Sequence, residues 1–245
     1  MTAEARFYAA ELRALLACTS EDDARPNLTC IGFAVDGQRC WATNGHVLLM
    51  RYQIAADPWA ETETITIQRS SIEAAAAVAD VLDDSYPCGE CDEPVTRHEE
   101  YITVALGELP SIRVGPHTLS AALAGGKTPP AWAVLPKTEE IGQAKGRVVS
   151  GRYLAQLGAI SDGVEARFGE RSCEWCIGFS GVATLPDGKK QSNPTWGPMV
   201  ARFERDGYGW IYVVMPLKPC TPFSEKWHRE INGFAESEDD DANPR

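Results

Sequence analysis

The sequence contains no apolar run near the roughly 18 residues of a membrane-spanning helix, so no membrane partner is expected. Its N-terminus, MTAEARFYAAELRALL, mixes acid and base and lacks the clean apolar stretch of a secretory leader. A cytoplasmic location is therefore expected. Basic charge is scarce, with 23 Lys and Arg against 35 Asp and Glu and a net charge of -12. A chain that coats DNA needs an excess of cations. Any DNA contact must come from a local patch, and tight, sequence-reading binding is not expected. Histidines are also few: His46, His98, His117 and His228 are scattered. The GxxxxGK, HExxH and GxSxG motifs are all missing. No enzyme activity and no cofactor are expected. The rival from the enzyme class is a metal-dependent nuclease using the acids of 80–100 as ligands, but those acids fit a solvated loop better.

What is present is an ordinary foldable composition, with 245 residues, 44% hydrophobic and 24% charged. Eight cysteines occur. Cys30 and Cys40 lie in apolar strand-like runs and read as buried thiols. Cys88, Cys91, Cys173 and Cys176 form two CxxC pairs, the spacing of a four-thiolate zinc site. The gap between the pairs far exceeds that of a compact zinc ribbon, so metal is not favoured.

Residues 4–18 place Phe7, Leu12, Leu15 and Leu16 on one stripe and predict a helix carrying Arg6 and Arg13. CIGFAV at 30–35, 39–43, 47–54 and 62–68 predict strands, with Asp36-Gly37 and Asn44-Gly45 as hairpin turns. A second helix, capped by Ser70 or Ser71, runs to Leu82 and carries no base. Strands are expected at 101–106 and 111–115, and an edge strand or helical turn at 117–123. A short strand is expected at 132–135, and 137–146 looks like a linker. A third helix covers 152–160, and strands follow at 164–168, 176–184, 199–204 and 210–216. One helix followed by antiparallel strands recurs about three times, which predicts an α+β fold with helices on one face of curved antiparallel sheets.

Three blocks resemble one family. They are Arg25-Pro26-Asn27-Leu28 leading through CIGF to Trp41-Ala42-Thr43-Asn44-Gly45-His46-Val47-Leu48, then TLSAALAGGKTPPAWAVLP at 118–136, then Tyr212-Val213-Val214-Met215-Pro216-Leu217-Lys218. Gly151-Arg152-Tyr153-Leu154 is a weaker fourth. Together, in this order, they resemble the bacterial DNA polymerase III beta subunit, the DNA sliding clamp, in a shortened form. Asn44 stands where the family has Asp, and Val47 where it has Arg.

The resemblance implies a DNA-clamp fold. Residues 1–137 would be a clamp-like domain like the family's middle domain. Residues 138–221 would be a shortened second half of its last domain, and 222–245 an acidic, largely disordered tail. It implies a non-enzymatic processivity or docking factor associated with the nucleoid, self-associating by cyclic symmetry, with a possible clamp loader. Double-stranded DNA would be held weakly and without sequence preference by Arg6, Arg13, Lys145, Arg147 and Arg152. Polymerases or repair proteins would dock a short peptide at Arg25, Thr43, Gly45, His46, Leu48, Pro136, Val213, Met215, Pro216 and Leu217. The alternative is a clamp-fold adaptor or competitor that binds such peptides, or another clamp, without encircling DNA.

Overall fold

The computed structural model describes residues 3–85, 102–126, 128–136, 141–142, 151–168, 175–180, 182–184, 190–192, 198–205 and 207–215. In chain order the elements are β1 (Ala3–Phe7), α1 (Ala9–Leu16), β2 (Cys30–Ala34), β3 (Arg39–Thr43), β4 (Val47–Gln53), β5 (Thr64–Gln68) and α2 (Arg69–Ser85). Then come β6 (Ile102–Leu106), β7 (Ser111–Val114), β8 (His117–Ser120), a 3-10 turn at Ala131–Ala133, β9 (Ile141–Gly142) and α3 (Gly151–Phe168). The last are β10 (Cys176–Ser180), β11 (Val182–Thr184), β12 (Lys190–Ser192), β13 (Met199–Arg205) and β14 (Tyr208–Val214).

The strands form a four-stranded sheet in the order β1-β6-β7-β8 and an eight-stranded sheet in the order β5-β2-β3-β4-β14-β13-β10-β9. Every described strand pair is antiparallel, and β11 pairs β12 separately. This is the expected α+β layering. The eight-stranded sheet joins early and late strands of the chain, because β4 pairs β14 in register from Val47↔Val214 to Gln53↔Tyr208. Helix α1 lies against both α2 and α3. The three helices and both sheets enclose one core that includes Phe7, Leu12, Leu15, Phe33, Leu49, Ile72, Ile160, Trp210 and Tyr212.

Strands β2 and β3 are buried at every position and β4 at all but Gln53. Both faces of the sheet centre are therefore covered, which is why these segments read as continuous apolar runs. The second face holds its own cluster, with Trp41, Leu48, Met50, Ile211 and Val213 under Ala131 and Leu135. Close packing there leaves no room at Gly32, where a Cβ would stand 2.7 Å from the Trp41 ring. The turns at Asp36-Gly37 and Asn44-Gly45 form as expected, with Gly37 at φ +73° and Gly45 at φ +87°.

Five local expectations are corrected. The second helix starts at Arg69, ahead of the Ser70 or Ser71 expected to cap it, and so carries a base. The helix over 4–18 is a strand and a shorter helix: Ala5 and Phe7 turn inward, Glu4 and Arg6 outward, and β1 pairs β6. The helix begins only after Tyr8, whose N–H donates to Glu11 Oε2 at 2.9 Å. Arg6 therefore sits on a strand. The strand expected at 164–168 belongs to α3, because Val164 continues the spacing of Leu157 and Ile160. Residues 132–135 form a turn held by Ala133 N–H to Pro130 O at 3.2 Å and Val134 N–H to Ala131 O at 3.0 Å. The strand expected over 176–184 is divided into β10 and β11, which pair with different partners. Between the two readings left open at 117–123, the edge strand holds at β8. The linker at 137–146 lies outside the described residues except for β9, and the acidic tail lies outside them altogether.

Candidate functional site

The seam between β4 and β14 is where the sequence blocks meet. Asn44 Oδ1 accepts N–H bonds from His46 at 2.9 Å and Val47 at 3.0 Å. Thr43 Oγ1 donates to Val47 O at 2.7 Å and accepts from Gly45 N at 3.1 Å. These local bonds hold the turn and project His46 from its tip. Where β14 ends, Met215 N–H donates to His46 O at 2.8 Å, so the end of the last strand is tied to this turn.

Alternation along the two paired strands sorts the predicted residues. Leu48 and Val213 face each other in register and are only 1% and 0% exposed. They pack in the cluster that includes Trp41, Val200 and Leu135, with Met215, Trp132 and Val134 against it. Trp132 meets Trp41 edge-on at 5.4 Å between centroids, and Trp41 Nε1 donates to Pro129 O at 2.9 Å. Pro136 is buried, and its carbonyl accepts from Trp59 Nε1 at 3.2 Å. Thr43 is buried, Gly45 exposed and Met215 half-buried. Pro216 and Leu217 lie outside the described residues.

The polar members gather elsewhere. Arg25 and His46 line an open cleft of about 620 Å³ together with Asn44, Arg152, Tyr153 and Gln156. His46 and Tyr153 stack at 6.5 Å between centroids, with planes 29° apart. Arg25 is exposed and paired with Asp22 at 3.4 Å. Tyr153 and Gln156 were not among the candidates from sequence, although Tyr153 sits in the fourth matching block. Leu28, also in a matching block, is buried beneath Gly45.

Of the cations expected to face DNA, the three among the described residues stand on three different elements. Arg6 is exposed on β1. Arg13 on α1 is ion-paired with Asp80 on α2. Arg152 stands in the first turn of α3, which holds no acid. Lys145 and Arg147 lie outside the described residues.

Cys30 and Cys40 are buried, as expected, and so is Cys18. Cys176 is exposed and unbridged, while Cys88, Cys91 and Cys173 lie outside the described residues. Among the described residues no group of three or more His, Cys, Asp or Glu is placed to hold a metal. No described helix is long and apolar enough to cross a membrane.

Burial pushes the Cys40 thiol up to about 12 from its ordinary 9.0. Burial, together with a hydrogen bond from its hydroxyl to Glu204, pushes Tyr52 up to about 12 from 10.0. Cys18 and Tyr212 are pushed the same way by burial. Above the ordinary values the unfolded chain loses these protons while the folded chain keeps them, so stability falls as pH rises. The contribution should be complete below pH 9 and decline from there toward pH 12. Urea-unfolding midpoints measured across that range check it; a flat profile would contradict the burial assigned to these groups.

No protein-family model matches the chain, and no curated protein matches it. By structure it is similar to bacterial sliding clamps. A DNA polymerase sliding clamp from Pseudomonas aeruginosa, solved with a ligand, shares 17% identity at a TM-score of 0.46, over 88% of this chain and 66% of that one. One from Caulobacter crescentus shares 14% identity at a TM-score of 0.46, over 89% of this chain and 66% of that one. A DNA polymerase III beta subunit from Bartonella birtlesii, bound to griselimycin, shares 16% identity at a TM-score of 0.47, over 88% of this chain and 66% of that one. The chain thus spans just under two thirds of the length of these proteins.

Proposed function

We propose that this chain is a clamp-like docking factor that binds short peptides of DNA polymerases or repair proteins at the β4–β14 seam and does no chemistry itself. The observation that carries this reading is the junction of His46 and Met215. A half-buried, adaptable thioether lies on an apolar cluster beside a rigid turn and an open polar cleft. An apolar floor with a few convergent polar groups suits a peptide with hydrophobic anchors. Residues 1–137 would supply the turn and Pro136, and residues 138–221 would supply Val213 to Leu217. A fluorescent peptide with Gln followed by aliphatic and aromatic anchors should bind saturably with a Kd in the micromolar range, about 6–8 kcal/mol. Absence of saturable binding by folded protein would remove the reading.

A second reading is an adaptor or competitor that never encircles DNA. One observation favours it. Arg13 is spent on Asp80, and the exposed face of α2 presents Glu73 and Asp80, with Arg69 engaged by Glu73 and Glu21. A duplex lying along that face would meet more acid than base, and phosphate would be repelled. Light scattering at micromolar concentration separates the two readings. The adaptor should run at the mass of one chain, whereas a closed multimer retained on circular DNA would exclude it.

A further inference from the structure

The Arg25–His46–Arg152 cleft draws its side chains from three separate stretches of sequence: the segment before β2, the turn before β4, and the first turn of α3. Two of these belong to the predicted peptide pocket and one to the predicted DNA face, and no local pattern joins them. We infer that this cleft selects, among docking peptides, those that carry a carboxylate beside their apolar anchors, with Arg152 as the specificity-determining residue. This rests on the docking reading proposed above.

The charges facing the cleft decide the matter. Two acids line it, Glu21 and Asp22, and both are already engaged. Glu21 pairs with Arg69 at 3.7 Å. Asp22 pairs with Arg25 at 3.4 Å and accepts from Ala24 N at 3.1 Å. Two neutral amides of the lining are also committed. Asn44 Oδ1 serves the turn, and Gln156 Nε2 donates to Ala17 O at 2.6 Å while its Oε1 accepts from Tyr212 at 3.3 Å. Among the charged groups of the cleft, Arg152 is the exception. It is exposed, and among the described residues no carboxylate pairs with it. A guanidinium left with spare donors at the edge of a cleft is matched by a planar carboxylate, which it can hold through two parallel hydrogen bonds.

The cleft is also next to the apolar floor. His46 lines the cleft through its side chain and holds Met215 through its carbonyl. A peptide whose anchors lie on Met215 therefore passes the cleft within a residue or two, since each extended residue covers about 3.3 Å. An acidic side chain flanking the anchors would reach Arg152. His46, stacked on Tyr153, gives the peptide a flat wall to lie against.

The test compares two fluorescent peptides with identical apolar anchors, one flanked by two glutamates and one by two glutamines. Anisotropy titrations are run on the full chain and on Arg152→Gln and Arg152→Glu. The glutamate peptide should bind the unmodified chain about three- to fivefold more tightly, the scale of one exposed ion pair. That ratio should fall to about one in Arg152→Gln and invert in Arg152→Glu. Equal affinity for the two peptides overturns the inference while leaving docking intact. So does a preference that survives both substitutions. Failure of both peptides to saturate removes the docking reading and the inference with it. Displacement of the bound glutamate peptide by a short oligonucleotide at lower concentration than by unlabelled peptide would reassign the cleft to phosphate and overturn it as well.

Discussion

Arg51→Ala should destabilise the protein by about 3–5 kcal/mol, the cost of breaking a buried ion pair by removing one member. Arg51 lies in the middle of β4 and is only 5% exposed. Its Nε stands 3.3 Å from Oε1 of Glu11, which is fully buried on α1. Its guanidinium also lies over the rings of Tyr208 at 4.0 Å and Phe7 at 4.5 Å. This one side chain thus ties β1, α1, β4 and β14 together. Removing it takes the paired cation away from buried Glu11, whose other oxygen holds the start of α1 through Tyr8 N–H. Replacing both partners with apolar residues, Glu11→Leu with Arg51→Met, should recover most of the loss, because no charge is then left buried. Urea unfolding of the two single variants and the double variant measures this. A loss below about 1 kcal/mol for Arg51→Ala would mean that water reaches the pair.

Met215→Ala should weaken peptide docking by about 1–3 kcal/mol, roughly five- to hundredfold in Kd. The thermal midpoint should move little, because the side chain is only half-buried at the end of β14. Its neighbours behave differently. Leu48→Ala would empty a site that is 1% exposed and should cost about 2–5 kcal/mol of stability before any effect on docking could be read. The contrast separates a binding role from a packing role. If Met215→Ala lowers stability but leaves affinity unchanged, the end of β14 serves only the core, and the docking site must be sought elsewhere.

Parts of this site could be read directly from the sequence. The Asn44-Gly45 turn was legible because only a few residues tolerate positive φ, and the bonds of Asn44 and Thr43 are local. The strands at 30–34, 39–43 and 47–53 were legible as apolar runs between turn signals. The first helix is only partly legible, because Phe7 satisfies both a helical stripe and a two-residue alternation. What settles it is β6, nearly a hundred residues away, which offers β1 a paired edge. The full length of α3 is hidden for a related reason: Ser161, Asp162 and Gly163 are weak helix formers, yet the helix runs through them to Phe168.

By itself the sequence determined the antiparallel α+β class, the turn that presents His46, the burial of Cys30 and Cys40, and the shortage of cations. Each of these follows from local chemistry or composition. The tertiary structure alone decided that β4 and β14 become one seam across more than 150 residues. It also decided that Arg51 is neutralised by Glu11, that Arg13 is spent on Asp80, and that Arg152 stands with Arg25 and His46 in one cleft. These are pairings between residues far apart along the chain, and no local pattern encodes a partner's position. They form because the strands and helices that carry them bury more apolar surface in this arrangement, which brings the charges together as a consequence.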